Sequence, residues 1–172
     1  MDANGSNQAR LITNTVDDGQ PSFSLDDKIA FHSNRSGNYE IYVMDAVDSD
    51  NDGNADNLKR LTKNAARDSE PSFAPDGKKI VFPSTRKGNE IYRMKAQPEG
   101  SENRPPKLTK NAEQDFDPVF SPDGTKIVFT TNRDGNGEIY RMNKDGTNLV
   151  RLTNTTAAGA NESEPDWGVF VP

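Results

Sequence analysis

A chain of 172 residues has room for one ordinary domain, and its 21 basic against 27 acidic side chains exclude the basic face of a nucleic-acid binder. Without cysteine there can be neither disulfides nor thiolate metal sites, and no apolar run reaches the length that spans a bilayer, so no membrane insertion is expected. Apolar residues make up only 31%, a level that fits disorder unless a repeat organises the chain.

A repeat does. Met1 to Arg10 is polar and lacks the apolar core of a signal peptide, so residues 1–8 read as a flexible lead-in and 9–172 as the folded segment. Arg10-Leu11-Ile12-Thr13 opens a pattern that recurs as Arg60-Leu61-Thr62, Lys107-Leu108-Thr109 and Arg151-Leu152-Thr153. After each of these comes a proline: Pro21, Pro71, Pro118 and Pro165, at intervals of 50, 47 and 47 residues. Self-similarity at such a period signals a propeller or solenoid. The central copy runs from Pro71-Ser72-Phe73 through Ala74-Pro75-Asp76-Gly77 to Lys79-Ile80-Val81-Phe82, then Arg86 and Glu90-Ile91-Tyr92-Arg93-Met94. Short β-branched and aromatic runs bounded by Gly, Pro and Asp predict four strands per repeat, a to d, with strand a starting after the proline and the Arg-Leu-Thr segment as strand d. Pro-Asp-Gly presets an a–b turn, whereas the first copy has Leu25-Asp26-Asp27, one residue shorter and expected to be the loosest. The repeats cover about 21–62, 71–109 and 118–153, and a partial one covers 165–172. Four antiparallel strands at this period describe an all-β propeller of four-stranded blades.

Proline, aromatic, Ser-Pro-Asp-Gly, Ile-Val-Phe, Arg, Glu-Ile-Tyr-x-Met and Arg-Leu-Thr, in that order and three times over, resemble the TolB-type propeller repeat across roughly residues 9–168. The resemblance implies strands a to d running outward from a ring axis, with each Arg-Leu-Thr on the outer edge of the preceding blade. It also implies an extracytoplasmic setting, periplasmic or secreted, and a protein or peptide partner, because family members include a periplasmic protein that binds partner proteins. Other members are propellers attached to peptidases. TolB-like rings have six blades, so three repeats imply half a ring, which a two-fold homodimer would complete; a fragment of a longer propeller is the alternative.

Antiparallel meandering puts the d–a and b–c loops on one face of the disc and the a–b and c–d loops on the other. On the first face an acid precedes each proline by three (Asp18, Asp68, Asp115, Glu162), and an arginine follows strand b (Arg35, Arg86, Arg133). These suit a structural Arg–carboxylate ladder, or else a charged rim for a partner. Glu70, Asp117 and Glu164, with Gln20 in the first copy, stand directly before the prolines and should crowd the axial opening, where an acidic mouth would attract cations or a basic peptide.

On the second face, the connection from Met44 to Leu61 takes 17 residues, against 14 from Met94 to Leu108 and 10 from Met142 to Leu152. The long one carries Asp48-Ser49-Asp50-Asn51-Asp52-Gly53-Asn54-Ala55-Asp56, the D-x-D-x-D-G-x-x-D spacing of a calcium loop. Asp48, Asp50, Asp52, the Asn54 carbonyl and Asp56 are the expected ligands, with Asp45 a candidate for one more. Position twelve is Lys59 rather than the EF-hand glutamate. The other reading is a solvated acidic loop.

His32 is the only histidine and has no second histidine or cysteine beside it, so a rim position outweighs catalysis or zinc. Trp167 aligns with Phe23, Phe73 and Phe120 as strand-a packing, and Tyr42, Tyr92 and Tyr140 align as inter-blade packing. Ser33 and Ser84 lack a nucleophile elbow. The sequence therefore reads as a non-enzymatic binding scaffold with a calcium loop. The alternative is a propeller-based enzyme or enzyme-associated domain, such as a polysaccharide lyase or a peptidase-gating propeller.

Overall fold

The computed structural model describes residues 4–6, 8–50, 52–96, 105–156 and 160–168. The first sheet runs β1 (Asp18–Phe23), β2 (Lys28–Ser33), β3 (Glu40–Asp45), β4 (Lys59–Arg60) in chain order, all antiparallel. The second holds β5 (Ser72–Phe73), β6 (Lys79–Ser84) and β7 (Glu90–Lys95), and its fourth strand shrinks to one antiparallel bridge between Tyr92 and Lys107. The third repeats the four-strand meander with β8 (Asp115–Phe120), β9 (Lys126–Thr131), β10 (Glu138–Asn143) and β11 (Val150–Arg151). Part of the expected lead-in (residues 1–3 and 7) and the end of the partial repeat (169–172) lie outside the described residues.

Strand a differs from the expectation. β1 and β8 begin three residues before the proline and carry one extra residue relative to their partners, between Gly19 and Ser22 and between Phe116 and Val119. The cause is local. Gln20, Glu70, Asp117 and Glu164 all adopt φ near +50 (51, 46, 51 and 51), and the proline after each has no amide to give to the ladder. The turns after strand a follow the expected chemistry: Gly77 (φ 67) and Gly124 (φ 66) take the left-handed position. In the short first turn Asp27 (φ 54) takes it instead, one of the few side chains that tolerate it. The end segments depart further. Residues 10–13 and 165–168 form no ladder, because strand c of a preceding blade and strand b of a following one would be needed to pair them.

Packing runs between blades rather than within them. Ala30, Ile41 and Val43 of the first blade meet Phe73, Ile80, Phe82, Tyr92 and Met94 of the second. Ala74, Val81, Ile91 and Leu108 of the second meet Phe120, Ile127, Phe129, Tyr140 and Met142 of the third. The free flank of the first blade (Ile29, Phe31, Tyr42, Met44) is partly roofed by Leu11, Ile12 and Ala55. Phe23 there is 66% exposed, against 5% and 6% for its counterparts Phe73 and Phe120.

A charged cluster recurs in every blade. Arg86 Nη2 lies 2.6 Å from the buried Asp68, its Nε donates to Ser84 Oγ, and its guanidinium sits over the rings of Phe82 and Tyr92. Arg133 does the same with Asp115, Thr131, Phe129 and Tyr140, and Arg35 with Asp18, Ser33, Phe31 and Tyr42. The partners are therefore of the same blade. A second buried acid, which sequence reasoning passed over, opens strand c: Glu40, Glu90 and Glu138 are fully buried. They bind Arg60 (2.8 Å), Lys107 (2.6 Å) and Arg151 (2.9 Å) of strand d, and the amides of Asn64, Asn111 and Thr155 beyond it. Hydrogen bonds from Thr153 foremost push the Glu138 carboxyl down to about 2. That stabilisation is present above its unfolded pKa and is lost as pH falls toward 2.

Removing one partner of a buried pair strands the other, at about 3 kcal/mol. Arg86→Ala should therefore cost about 3 kcal/mol in denaturant unfolding, and Arg35→Ala, whose partner Asp18 is part-exposed, nearer 1 kcal/mol. Equal losses at the two positions would show that burial of the acid does not set the strength.

Candidate functional site

Two places gather chemistry, one on each face. At the axial opening the four pre-proline residues and their prolines surround a cavity of about 280 Å³. The left-handed backbone turns the amides of Glu70, Asp117 and Glu164 toward the preceding repeat, and a chain of hydrogen bonds results. The Glu70 amide donates to His32 Nδ1 (3.2 Å), the Asp117 amide donates to Glu70 Oε2 (3.3 Å), and the Glu164 amide donates to the Asp117 carboxylate. Each link crosses from one repeat to the next. In the first link, where Gln20 stands at the acid's place, the acceptor is a histidine. Gly19 makes room for it: a Cβ there would lie 2.8 Å from His32 Nε2.

His32 is accordingly not at an open rim but buried, edge-on to Tyr39, with ring centroids 4.9 Å apart. Burial lowers its pKa, which keeps the ring neutral and Nδ1 free to accept. The Gly19–His32 pairing across β1 and β2 was the available sequence signal, since glycine stands at this place only in the copy that has the histidine. Asp117 is the electrostatic centre of the opening. Burial first, then the charges of Glu70 and Glu164, raise its pKa to about 6. Of the charged residues expected at the rim, Glu70, Asp117 and Glu164 converge here, whereas Arg35, Arg86, Arg133, Asp68 and Asp115 are spent on the pairs within blades.

On the other face, loop 45–57 brings together the carboxylates of Asp48, Asp50 and Asp56, with ligand oxygens all within 4.8 Å of one another. The amides of Asp52 (3.1 Å) and Gly53 (2.9 Å) hold Asp48 in place, and Gly53 takes φ 85 at the bend. These hard oxygens fit calcium. Asp52 is not in the cluster; its carboxylate accepts the Asn54 amide (2.8 Å). The Asn54 side chain accepts the Thr13 amide (3.2 Å), which leaves the expected ligand at this position, its backbone carbonyl, unaffected. Asp45, the candidate extra ligand, is instead bound to Lys28 (3.0 Å) and Asn57 (2.7 Å). The loop grips the strand-d-like segment before the first blade: the Ala55 amide donates to Leu11 O and Thr13 Oγ1 donates to Gly53 O.

No family model and no curated protein matches the sequence. The fold is that of a TolB-like propeller. The structure of a putative TolB from Agrobacterium tumefaciens aligns with a TM-score of 0.69 and 26% identity, covering 82% of this chain and 50% of that one. TolB from Acinetobacter baumannii aligns with a TM-score of 0.69 and 27% identity over 88% of this chain and 35% of that one. This chain thus spans half or less of either TolB. A puromycin-hydrolyzing peptidase from Mycobacterium tuberculosis aligns at 0.67 over 92% of this chain, and at 14% identity that likeness shows the fold alone.

Because its folded pKa lies above its unfolded value, Asp117 contributes stability that is fully present below the unfolded pKa and lost as pH rises through about 6. Asp117→Asn removes the ionisation and keeps an acceptor. The melting temperature of this variant minus that of the parent should grow as pH rises from below 5 to 8, whereas a pH-independent difference would mean that the carboxyl is not held protonated.

Proposed function

We propose that this chain is a non-enzymatic binding scaffold outside the cytoplasm, a TolB-like propeller segment that receives a cationic stretch of a protein or peptide partner at its acidic axial opening. One observation carries this reading: three successive repeats place Glu70, Asp117 and Glu164 around a single cavity, at the cost of a left-handed backbone before each proline. Strain at such positions persists only where the surroundings impose it, and it clusters where ligands bind. The raised pKa of Asp117 means that its charge is poorly compensated in the free chain. A bound ammonium or guanidinium would supply the missing counter-charge. The sole histidine supports the non-enzymatic reading, since its ring is buried and committed to an inter-repeat hydrogen bond.

Calcium at Asp48, Asp50 and Asp56 belongs to the same proposal, as the ion that offsets a loop of five aspartates without a base. Its site clamps residues 11–13 over the free flank of the first blade, so its role is to order that flank. The exposed Phe23 on this flank supports completion of the ring by a second copy, whose last blade would cover it as the first blade covers Phe73. A particle of one chain's mass in light scattering, with calcium present, would count against that.

A lysine-rich peptide should bind with an affinity that rises as pH increases through about 6, and Glu70→Gln with Asp117→Asn should weaken it about tenfold or more. Binding that is indifferent to both changes would remove the axial opening as the site. Calcium should raise the melting temperature in proportion to its occupancy. It should also slow amide exchange at Thr13 and Ala55, and Asp50→Asn should abolish both effects. Calorimetry without a calcium signal would overturn the loop assignment.

A further inference from the structure

Between the second and third blades, on the face of the a–b turns and away from the acidic opening, lies a cavity of about 600 Å³. We propose that it is a binding site for a small organic anion, a carboxylate carried on an apolar body. Ala74, Pro75 and Phe120 form its apolar wall, and Lys79, Arg93 and Lys144 bring three cations to it. Two acids also border it, but both are turned into their own turns. Asp76 Oδ1 accepts the Lys78 amide (3.0 Å). Asp123 accepts Ser121 Oγ (2.5 Å), the Thr125 amide (3.0 Å) and Thr125 Oγ1 (2.8 Å). Among the described residues none of the three cations forms an ion pair with either acid.

The other repeats serve as controls. The lysine that opens strand b has an acceptor across the ladder in the outer blades: Lys28 faces Asp45 and binds it at 3.0 Å, and Lys126 faces Asn143 and binds it at 2.6 Å. In the middle blade the facing residue is Lys95, so Lys79 meets a like charge and has no side-chain partner among the described residues. A like charge directly opposite is unfavourable, and a bound anion would relieve it. Arg93 stands where the first repeat has Val43, and Lys144 stands where the earlier repeats have Ala46 and Ala96. The corresponding gap between the first two blades therefore offers only Lys28, already paired, with Val43 and Ala96. Arg93 Nη1 donates to the Lys144 carbonyl across the gap, which fixes the guanidinium at the cavity with its remaining donors available. Nearby Asp145 accepts the Thr147 amide and hydroxyl at Oδ1 (3.0 and 2.6 Å) and feels the charge of Arg93, but forms no ion pair with it.

An apolar wall beside a few convergent charges is the make-up of a small-molecule pocket. A guanidinium fork suits a carboxylate, and the buried Phe120 with Pro75 suits a flat apolar body rather than a fully hydrated anion.

The test is an amide-resolved NMR titration of the whole chain with benzoate, with neutral benzamide and with inorganic phosphate. Saturable shifts at Lys79, Phe120 and Gly124 with benzoate, much weaker with benzamide and phosphate, are the expected result. Arg93→Val with Lys144→Ala installs residues that other repeats already carry, and it should weaken benzoate about tenfold or more while the melting temperature holds. If that double variant fails to fold, Lys79→Met provides the same reading. No saturable benzoate shift, equal binding of benzamide, preference for phosphate, or a folded variant that binds as the parent does would each overturn the site.

Discussion

A β-sheet with no helix beside it can bury its faces only against another sheet, and the rest of this structure follows from that constraint. Each blade presents one apolar side to the blade before it and another to the blade after. Each therefore depends on neighbours of matching shape, and the repeat is the simplest way to supply them. The difference in exposure between Phe23 and Phe73 is the direct measure of this dependence, because the two residues are equivalent and only one has a preceding blade. Residues 11–13 and Ala55 cover part of that flank, and the aspartate loop holds them there. A surface feature of one face and the packing of a blade edge are thus one piece of construction.

Edge strands and loop ends need polar anchors as well, and these sit at two depths. Near the axis the Asp–Arg pairs lock strand a to the end of strand b, each guanidinium stacked on the two rings that form the blade's own face. Toward the rim the buried glutamates lock strand c to strand d and to the loop that follows. Each buried glutamate accepts from both a cation and a backbone amide, so strand d can be as short as two residues, or a single bridge, without coming loose.

The blades, their strand order and the Asp–Arg pairs were legible in the sequence because each depends on local spacing repeated three times. Pro-Asp-Gly encodes its turn through a glycine that takes a left-handed φ, and the turn does form at Gly77 and Gly124. The early start of strand a was not legible. A proline suggests a boundary, whereas here the ladder passes through it by way of a bulge that no single residue type announces. The roles of Glu40, Glu90 and Glu138 were missed because an acid beside an apolar run reads as a solvated flank, and only the register with strand d brings a cation over it. The aspartate loop was legible as a motif, whereas the partners that Asp52 and Asp45 find in the Asn54 amide, Lys28 and Asn57 are not revealed by spacing.

Repeats that share a scaffold also isolate what differs between them. The anchors recur in all three blades, so they explain why the blades fold and say little about what this chain does. The departures carry that information, and they are few: a long acidic loop in the first blade, a histidine with its glycine in place of an acid at the axis, and a lysine facing a lysine in the second. Each departure is unfavourable or neutral for the blade that holds it. Concentrated like charge in the loop and a lysine facing a lysine across the ladder both weaken a sheet taken alone, while the histidine with its glycine is neutral. On the readings proposed above, a cation at the aspartate loop and an anion beside Lys79 would offset these charges from outside. A chain that relied on its repeats for stability alone would have had at these positions the residues its other blades already carry.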